Sequence, residues 1–139
     1  MNIYRIAFCG SITRCGELRG CVNTVCRIEG YSEKFIPVLE LAVHEAFVNA
    51  VLHGNKECPD GPVSVVFRCR QSVSGRSLQV DVADCGKGFD LKKLDTPADD
   101  DESSALNGRG LRIIRHFAES IDIGTSSDGS VLSLHYIPF

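Results

Sequence analysis

The most constraining feature of this 139-residue chain is a long apolar segment, residues 39–52, that few polar side chains interrupt. Its polar residues are Glu40, His44, Glu45 and Asn49. A helix this apolar must be largely buried. Burying an unpaired amide costs about 1–3 kcal/mol, and burying a carboxylate costs more, so these polar side chains need an explanation.

Helical geometry sorts these polar residues into two stripes. At about 100° per residue, Glu40 and His44 share one stripe, which we expect to be solvated. Glu45, Asn49 and His53 share another, within about 80° of arc and nearly opposite. In one interpretation Glu45 and Asn49 cap loops or pair in a satisfied network. In the other they face a cavity that holds a hydrated cation and an oxyanion, where the amide oxygen binds Mg²⁺ and the carboxylate accepts a proton.

A second candidate wall is formed by Asp84, which is followed by Gly86 and Gly88. Asp84 ends an apolar strand, and the two glycines let the backbone turn tightly and approach a ligand. A carboxylate in this position can accept a hydrogen bond from the exocyclic amine of adenine, and it would reject guanine, which presents a carbonyl there. A plain turn explains the same pattern. Phe89 belongs to the core or covers the base.

A third candidate stretch begins at Gly108 and continues through Arg109, Gly110 and Leu111 into a predicted helix. Backbone N–H groups at a helix start can hold phosphate oxygens, and Arg109 could add positive charge. A flexible glycine hinge is the alternative. The chain contains neither a G-x-x-x-x-G-K-[ST] loop nor a G-x-G-x-x-G turn between a first strand and a helix, which excludes the P-loop and Rossmann patterns.

The order of predicted elements indicates the α/β class, as a two-layer sandwich whose mostly antiparallel sheet is covered on one face by helices. The predicted strands cover residues 3–8, 63–69, 78–82, 121–123 and 131–137. The predicted helices cover residues 14–27, about 32–52 and 110–119. Gly30 should end the first helix, and Ser32 should cap the second. The polar segment 90–107 is long enough for a functional lid, and residues 1–139 should form a single domain.

Composition excludes several classes of protein. The net charge of -3 gives no sign of non-specific nucleic-acid binding or of a basic membrane-facing surface. No signal peptide or apolar run of about 20 residues is present, which favours a cytoplasmic protein. The seven cysteines include no C-x-x-C pair, so we expect reduced thiols and no structural zinc. We expect four of them to be small buried hydrophobes: Cys9, Cys15, Cys21 and Cys26.

In their order and spacing, E-x-x-x-N-A-x-x-H-G at residues 45–54, D-x-G-x-G-F at 84–89 and the glycine-containing stretch at 108–111 resemble the GHKL (Bergerat) nucleotide-binding fold. Within it, the chain most resembles the bacterial anti-sigma-factor serine/threonine kinases. The resemblance covers about residues 14–137, nearly the whole chain. One departure is at residues 108–113, where the family often has G-x-G-L-G-L and this chain reads G-R-G-L-R-I.

The resemblance implies that ATP and Mg²⁺ are bound. Asn49 would ligate Mg²⁺, Glu45 would be the catalytic base, and Asp84 would bind adenine. Segment 95–107 would be the ATP lid. The remaining nucleotide contacts implied are His53, Gly86, Gly88, Phe89, Gly108, Arg109, Gly110, Leu111 and Ser130. Ser130 follows Gly129 where the family often has Gly-Thr.

The resemblance also implies a regulator that holds a sigma factor inactive and phosphorylates a small STAS-type antagonist protein. Neither nucleic acid nor membrane would be bound directly, and a homodimer could form through the exposed face of the first helix. The alternative is a non-catalytic nucleotide-binding module that only sequesters a protein partner. A third reading, the catalytic fragment of a sensor histidine kinase, is disfavoured because the chain has no dimerisation and phosphoacceptor helix pair.

Overall fold

A computed structural model describes residues 1–9, 14–54, 61–85, 114, 118–126 and 129–139 of the chain. For Cys9, His53, Gly54 and Ser126 it describes the backbone only. The arrangement is the predicted one: helices on one side of an antiparallel sheet of five strands.

Two helices lie between the first and second strands. Helix α1 covers Cys15–Glu29 and ends at Gly30, whose φ of 74° is the left-handed conformation that glycine adopts most easily. Helix α2 covers Phe35–Asn49. The regular helix begins after Lys34, whose side chain makes no capping hydrogen bond. Ser32, two residues earlier, still caps the first turn as predicted, because its Oγ accepts the N–H of Lys34 at 3.2 Å and its carbonyl oxygen accepts the N–H groups of Phe35 and Ile36.

The end of α2 differs from the predicted uniform helix. Beyond Asn49 the chain continues as a π-helical turn over Ala50–Gly54, hereafter the π-turn. Such turns are rare and are found frequently at functional sites. Apolar periodicity does not distinguish one short π-helical turn from a continued α-helix, so the sequence pattern could not reveal it.

The strands are β1 (Asn2–Cys9), β2 (Pro62–Ser72), β3 (Gly75–Asp84), β4 (Ser120–Ser126) and β5 (Gly129–Tyr136). Their order across the sheet is β1-β2-β3-β5-β4, and every described neighbouring pair is antiparallel. Both predicted hairpins, β2–β3 and β4–β5, are confirmed. Of the helix predicted over residues 110–119, the structure describes Ile114, which is helical and buried, and Ala118 and Glu119, which lie outside the helix.

Alternation along the strands decides where the core lies. In β2, Val63, Val65 and Phe67 are buried, while the residues between them are partly exposed. Leu78, Val80 and Val82 repeat the pattern in β3. This period of two places one face of the sheet under the helices, where α2 contributes Leu39, Val43 and Phe47 to the same core.

Helix α2 and the start of the π-turn together form the single described helical segment that is long and apolar enough for a membrane span. The window is Phe35–Leu52, with a mean hydropathy of 1.6, and half of it is buried within the fold. A core helix of a folded domain has the same properties. Because α2 packs against α1 and the sheet, we interpret it as a core helix.

Candidate functional site

Asp84 occupies the last position of β3, on the face that the helices cover. Side chains alternate along a strand, so Asp84 continues the row of Leu78, Val80 and Val82. Those three side chains are buried, whereas Asp84 is partly exposed at the edge of the core. The strand therefore ends by placing a carboxylate beside the space between the helix layer and the sheet.

Ser130 fixes the orientation of this carboxylate. It lies directly opposite Asp84 in the β3–β5 register, and its Oγ donates a hydrogen bond of 2.8 Å to Oδ1 of Asp84. The hydroxyl is held in place because Ser130 is only 4% exposed. The structure thus brings together two residues that the sequence places 46 positions apart.

Gly129 belongs to the same wall, although its sequence context indicated only a turn. Its φ is 140°, and a Cβ atom at this position would overlap the backbone carbonyl oxygen of Asp84. Both features require glycine. The Asp128-Gly129 pair that marks the β4–β5 hairpin was the only sequence signal for this close approach.

Asn49 lies at the end of α2, on the helix layer that packs against β3. It is only 4% exposed, and its Nδ2 has no hydrogen-bond partner among the described residues. The π-turn that follows it contacts β3, so the end of α2 and the strand that carries Asp84 are packed together. A buried amide without a partner costs about 1–3 kcal/mol, which favours the cavity interpretation over a satisfied internal network.

Glu45 lies one helical turn before Asn49 and is partly exposed. Residues four apart in an α-helix are neighbours on its surface, so the carboxyl and amide groups share one side of α2. Glu40 and His44, expected on a solvated stripe, are both partly exposed, and Glu40 accepts a hydrogen bond from Asn23. Leu41, next to Glu40, is the more exposed residue at 41%.

A metal ion at this site would have few protein ligands. The described residues contain no group of three His, Cys, Asp or Glu side chains that could hold one. An amide oxygen together with phosphate oxygens and water is nevertheless a suitable set for Mg²⁺, which usually keeps several waters in protein sites. The Nδ2 position of Asn49, which has no partner among the described residues, fits the ion as a single protein ligand, because rotation of the amide exchanges its oxygen and nitrogen.

The other predicted site residues cannot be placed in the same way. The backbone of His53 lies in the π-turn, but its side chain is not described. Seven predicted residues lie outside the described part of the chain: Gly86, Gly88, Phe89, Gly108, Arg109, Gly110 and Leu111. The polar segment 90–107 lies outside it as well.

The cysteines only partly follow the sequence expectation. Cys15, Cys21, Cys26 and Cys69 are free thiols, and burial raises the pKa of Cys26 to about 12. Cys26 is buried as predicted, whereas Cys15 and Cys21 are half-buried. Cys85, next to Asp84, is disulfide-bonded, so the expectation of reduced thiols is wrong for this residue. An odd cysteine count could not identify a single bridge.

Comparison with known families matches most of the chain. Residues 11–136 match the histidine kinase-like ATPase domain family. The serine-protein kinase RsbW of Bacillus subtilis (strain 168) is 31% identical over 128 residues, which cover 88% of this chain and 78% of that protein. The serine-protein kinase RsbW of Listeria monocytogenes serovar 1/2a is 32% identical over 114 residues, covering 78% of this chain and 70% of that protein.

Solved structures show the same fold at low sequence identity. A chain of the SiaB–SiaC complex from Pseudomonas aeruginosa superposes with a TM-score of 0.62 at 13% identity, covering 96% of this chain and 87% of that one. The histidine kinase domain from the Erythrobacter litoralis EL346 blue-light activated histidine kinase gives a TM-score of 0.52 at 17% identity, covering 91% of this chain and 60% of that one. These similarities confirm the predicted two-layer fold of the GHKL type.

Proposed function

Because this chain belongs to the histidine kinase-like ATPase family, and within it to the anti-sigma-factor kinases that act by partner switching, we propose that it transfers the γ-phosphoryl group of ATP to a serine hydroxyl of a small STAS-type antagonist protein. The observation that carries the proposal is the buried amide of Asn49, whose Nδ2 has no partner among the described residues and which lies one turn after a carboxylate. An amide that binds Mg²⁺ and a carboxylate that accepts a proton would both be needed at the end of α2.

The adenine end of ATP would lie against Asp84. The carboxylate would accept a hydrogen bond from the exocyclic amine, and the 2.8 Å bond from Ser130 would hold it in the receiving orientation. Guanine presents a carbonyl oxygen at the same place, and two acceptors facing each other would leave a polar atom unpaired. We therefore propose selectivity for ATP over GTP.

The phosphate end would lie near the end of α2. One Mg²⁺ ion, held by Asn49 and phosphate oxygens, would offset the negative charge of the triphosphate. On the remaining side we propose the residues implied by the family motif, which lie in the undescribed segments apart from the backbone of His53: His53, Gly86, Gly88, Phe89, Gly108, Arg109, Gly110 and Leu111. Among these, Arg109 would add positive charge where the transferred group becomes more negative.

Glu45 would act as the general base. The serine oxygen would form a bond to the γ-phosphorus as the bond between that phosphorus and the β–γ bridging oxygen breaks, and ADP would leave. The proton of the serine hydroxyl would pass to the Glu45 carboxylate and from there to water. The partial exposure of Glu45 supports this role, because a protein substrate must reach the base from outside the fold.

We also propose that residues 1–139 form a single ATP-binding domain and that the kinase works in the cytoplasm, where it holds a sigma factor inactive. A homodimer through the exposed face of α1 is part of the same proposal. The alternative is a non-catalytic module that only sequesters its partner. Glu45, one turn before an Asn49 whose Nδ2 has no partner in the described part of the chain, favours the kinase, since a module that only sequesters a partner needs no general base.

The test is transfer of radiolabelled γ-phosphate from ATP to purified STAS-type antagonist proteins by wild-type, Glu45→Gln and Glu40→Gln chains. Removing a general base typically costs about 10²–10⁴-fold in rate, so Glu45→Gln should bind ATP but lose transfer by that factor. Glu40→Gln, which makes the same chemical change on the same helix, should keep the wild-type rate. Normal transfer by Glu45→Gln would refute the assignment of the base, and tight ATP binding without any wild-type transfer would favour the non-catalytic module.

A further inference from the structure

The exposed side of α2 is apolar, where the outer face of a helix is usually polar. Leu41 is 41% exposed, the half-buried Val48 follows it on α2, and Leu52, in the π-turn, is 49% exposed. At about 100° per residue, Leu41 and Val48 differ by only about 20° in direction, and Leu52 lies four residues beyond Val48. We call these three residues the α2 stripe.

The α2 stripe surrounds the proposed general base. Glu45 lies between Leu41 and Val48 on the same side of α2, about 6 Å along the axis from the first and about 4.5 Å from the second at about 1.5 Å per residue. A general base must come within hydrogen-bond reach of the hydroxyl whose proton it takes. A protein that brings a serine to Glu45 must therefore cover the α2 stripe as well.

We propose that the α2 stripe is the docking surface for the protein that presents the acceptor hydroxyl, an inference that rests on the proposed kinase function. Its partner would carry apolar side chains on both sides of the reactive serine. Leu41 would contact the partner on one side of Glu45, and Val48 and Leu52 on the other. Their burial would exclude water from the carboxylate and the hydroxyl during transfer.

Charge favours this occupant over a membrane or a second copy of the chain. Helix α2 contains no lysine or arginine, whereas helices that bind anionic lipid surfaces are typically rich in both. A dimer formed on the α2 stripe would place Glu45 of each copy within the interface, which would bury two carboxylates. It would also keep the acceptor away from the base.

The experiment compares the wild type with the double variant Leu41→Gln/Leu52→Gln, because glutamine favours helix and adds no charge. Val73→Gln, at the exposed β2–β3 turn, is the matched control. The probe is the purified STAS-type antagonist that the wild type binds or phosphorylates best. The KM for this antagonist should rise about tenfold in the double variant. Its kcat should stay within about twofold of the wild-type value, and so should the rise in melting temperature that Mg²⁺ and ATP cause.

A KM within about twofold of wild type in the double variant would overturn the docking proposal. The docking proposal would also be overturned if the double variant binds the antagonist normally but loses self-association or binding to phosphatidylcholine–phosphatidylserine vesicles. If the wild type binds an antagonist without phosphorylating it, the kinase proposal fails. The docking proposal is then decided by the dissociation constants of the antagonist for the wild type, the double variant and Val73→Gln, of which only that of the double variant should rise. If the wild type neither binds nor phosphorylates any antagonist, both proposals fail.

Discussion

Oγ of Ser130 lies 2.8 Å from Oδ1 of Asp84, and this hydrogen bond joins the start of β5 to the end of β3. It gives a carboxylate at the edge of the core one fixed orientation. Such pre-orientation reduces the entropy that a ligand must offset when it binds. The bond therefore connects the local pairing of two strands with the selectivity proposed for the site.

Ser130→Ala should weaken ATP binding by about tenfold, because it removes a bond worth about 1.5 kcal/mol to a charged group. Ser130→Thr keeps the hydroxyl and should restore most of the affinity. Ser77→Ala, at an exposed position of β3, is the control. Titration calorimetry measures all three. Equal affinities for wild type and Ser130→Ala would show that the hydroxyl does not orient Asp84 for the nucleotide.

Gly129→Ala should destabilise the fold by at least about 2 kcal/mol, because the added methyl group meets the carbonyl of Asp84 in a backbone conformation of φ 140°. Gly124→Ala in β4 is the matched control, since a Cβ atom there has nothing within 4 Å. Its effect should stay within about 0.5 kcal/mol. Urea unfolding gives both values. Similar small losses for the two variants would contradict the close approach of Gly129 to Asp84.

Asn49→Leu should raise the free energy of unfolding of the nucleotide-free protein by about 1 kcal/mol, because it replaces a buried amide whose Nδ2 has no partner among the described residues. Asn23→Leu should not, since the Asn23 amide donates to Glu40 and accepts from Arg27. Denaturant titration without nucleotide compares them. A large loss of stability in Asn49→Leu would indicate that the amide is part of the structural core rather than of a ligand site.

Acid should remove a contribution that Asp81 makes to stability. Burial raises the pKa of Asp81, but hydrogen bonds from Gln79, Ser133 and Arg68 outweigh it, so the pKa lies below the ordinary 3.8. Because the folded-state pKa is the lower one, the contribution is complete above pH 3.8 and disappears as the pH falls below it. Asp81→Asn should flatten the stability curve in that range.

Unfolding curves measured between neutral and acid pH check this prediction. Asp122→Asn removes the same charge from a side chain that is 74% exposed. If it flattens the acid limb as much as Asp81→Asn does, net charge rather than the hydrogen bonds around Asp81 would be responsible.

Much of the fold could be predicted because its elements follow simple periodicities. The alternation in β2 and β3, with polar and glycine residues between them, specified a hairpin, and the apolar helix specified the other layer. The regular part of α2 begins two residues later than the cap at Ser32 implies, because a short turn from Ser32 leads into the helix. Side-chain propensity does not distinguish such a turn from the first turn of the helix itself.

The site was harder to predict because it depends on strand register and on helix geometry. The sequence indicated Asp84 and Asn49 separately, but the bond from Ser130 and the close approach of Gly129 exist only because β5 pairs with β3 in one register. The π-turn and the disulfide at Cys85 have no local sequence signature. The motif residues in the undescribed segments stay predictions.

The most direct test of the nucleotide site is the melting temperature with Mg²⁺ and either ATP or GTP, for the wild type and for Asp84→Ala and Asn49→Ala. ATP at about 100 times its dissociation constant should add about 2.7 kcal/mol of stability and raise the melting temperature of the wild type. GTP should not, and either substitution should abolish the rise with ATP. No rise with ATP, an equal rise with GTP, or an undiminished rise in both variants would contradict the account.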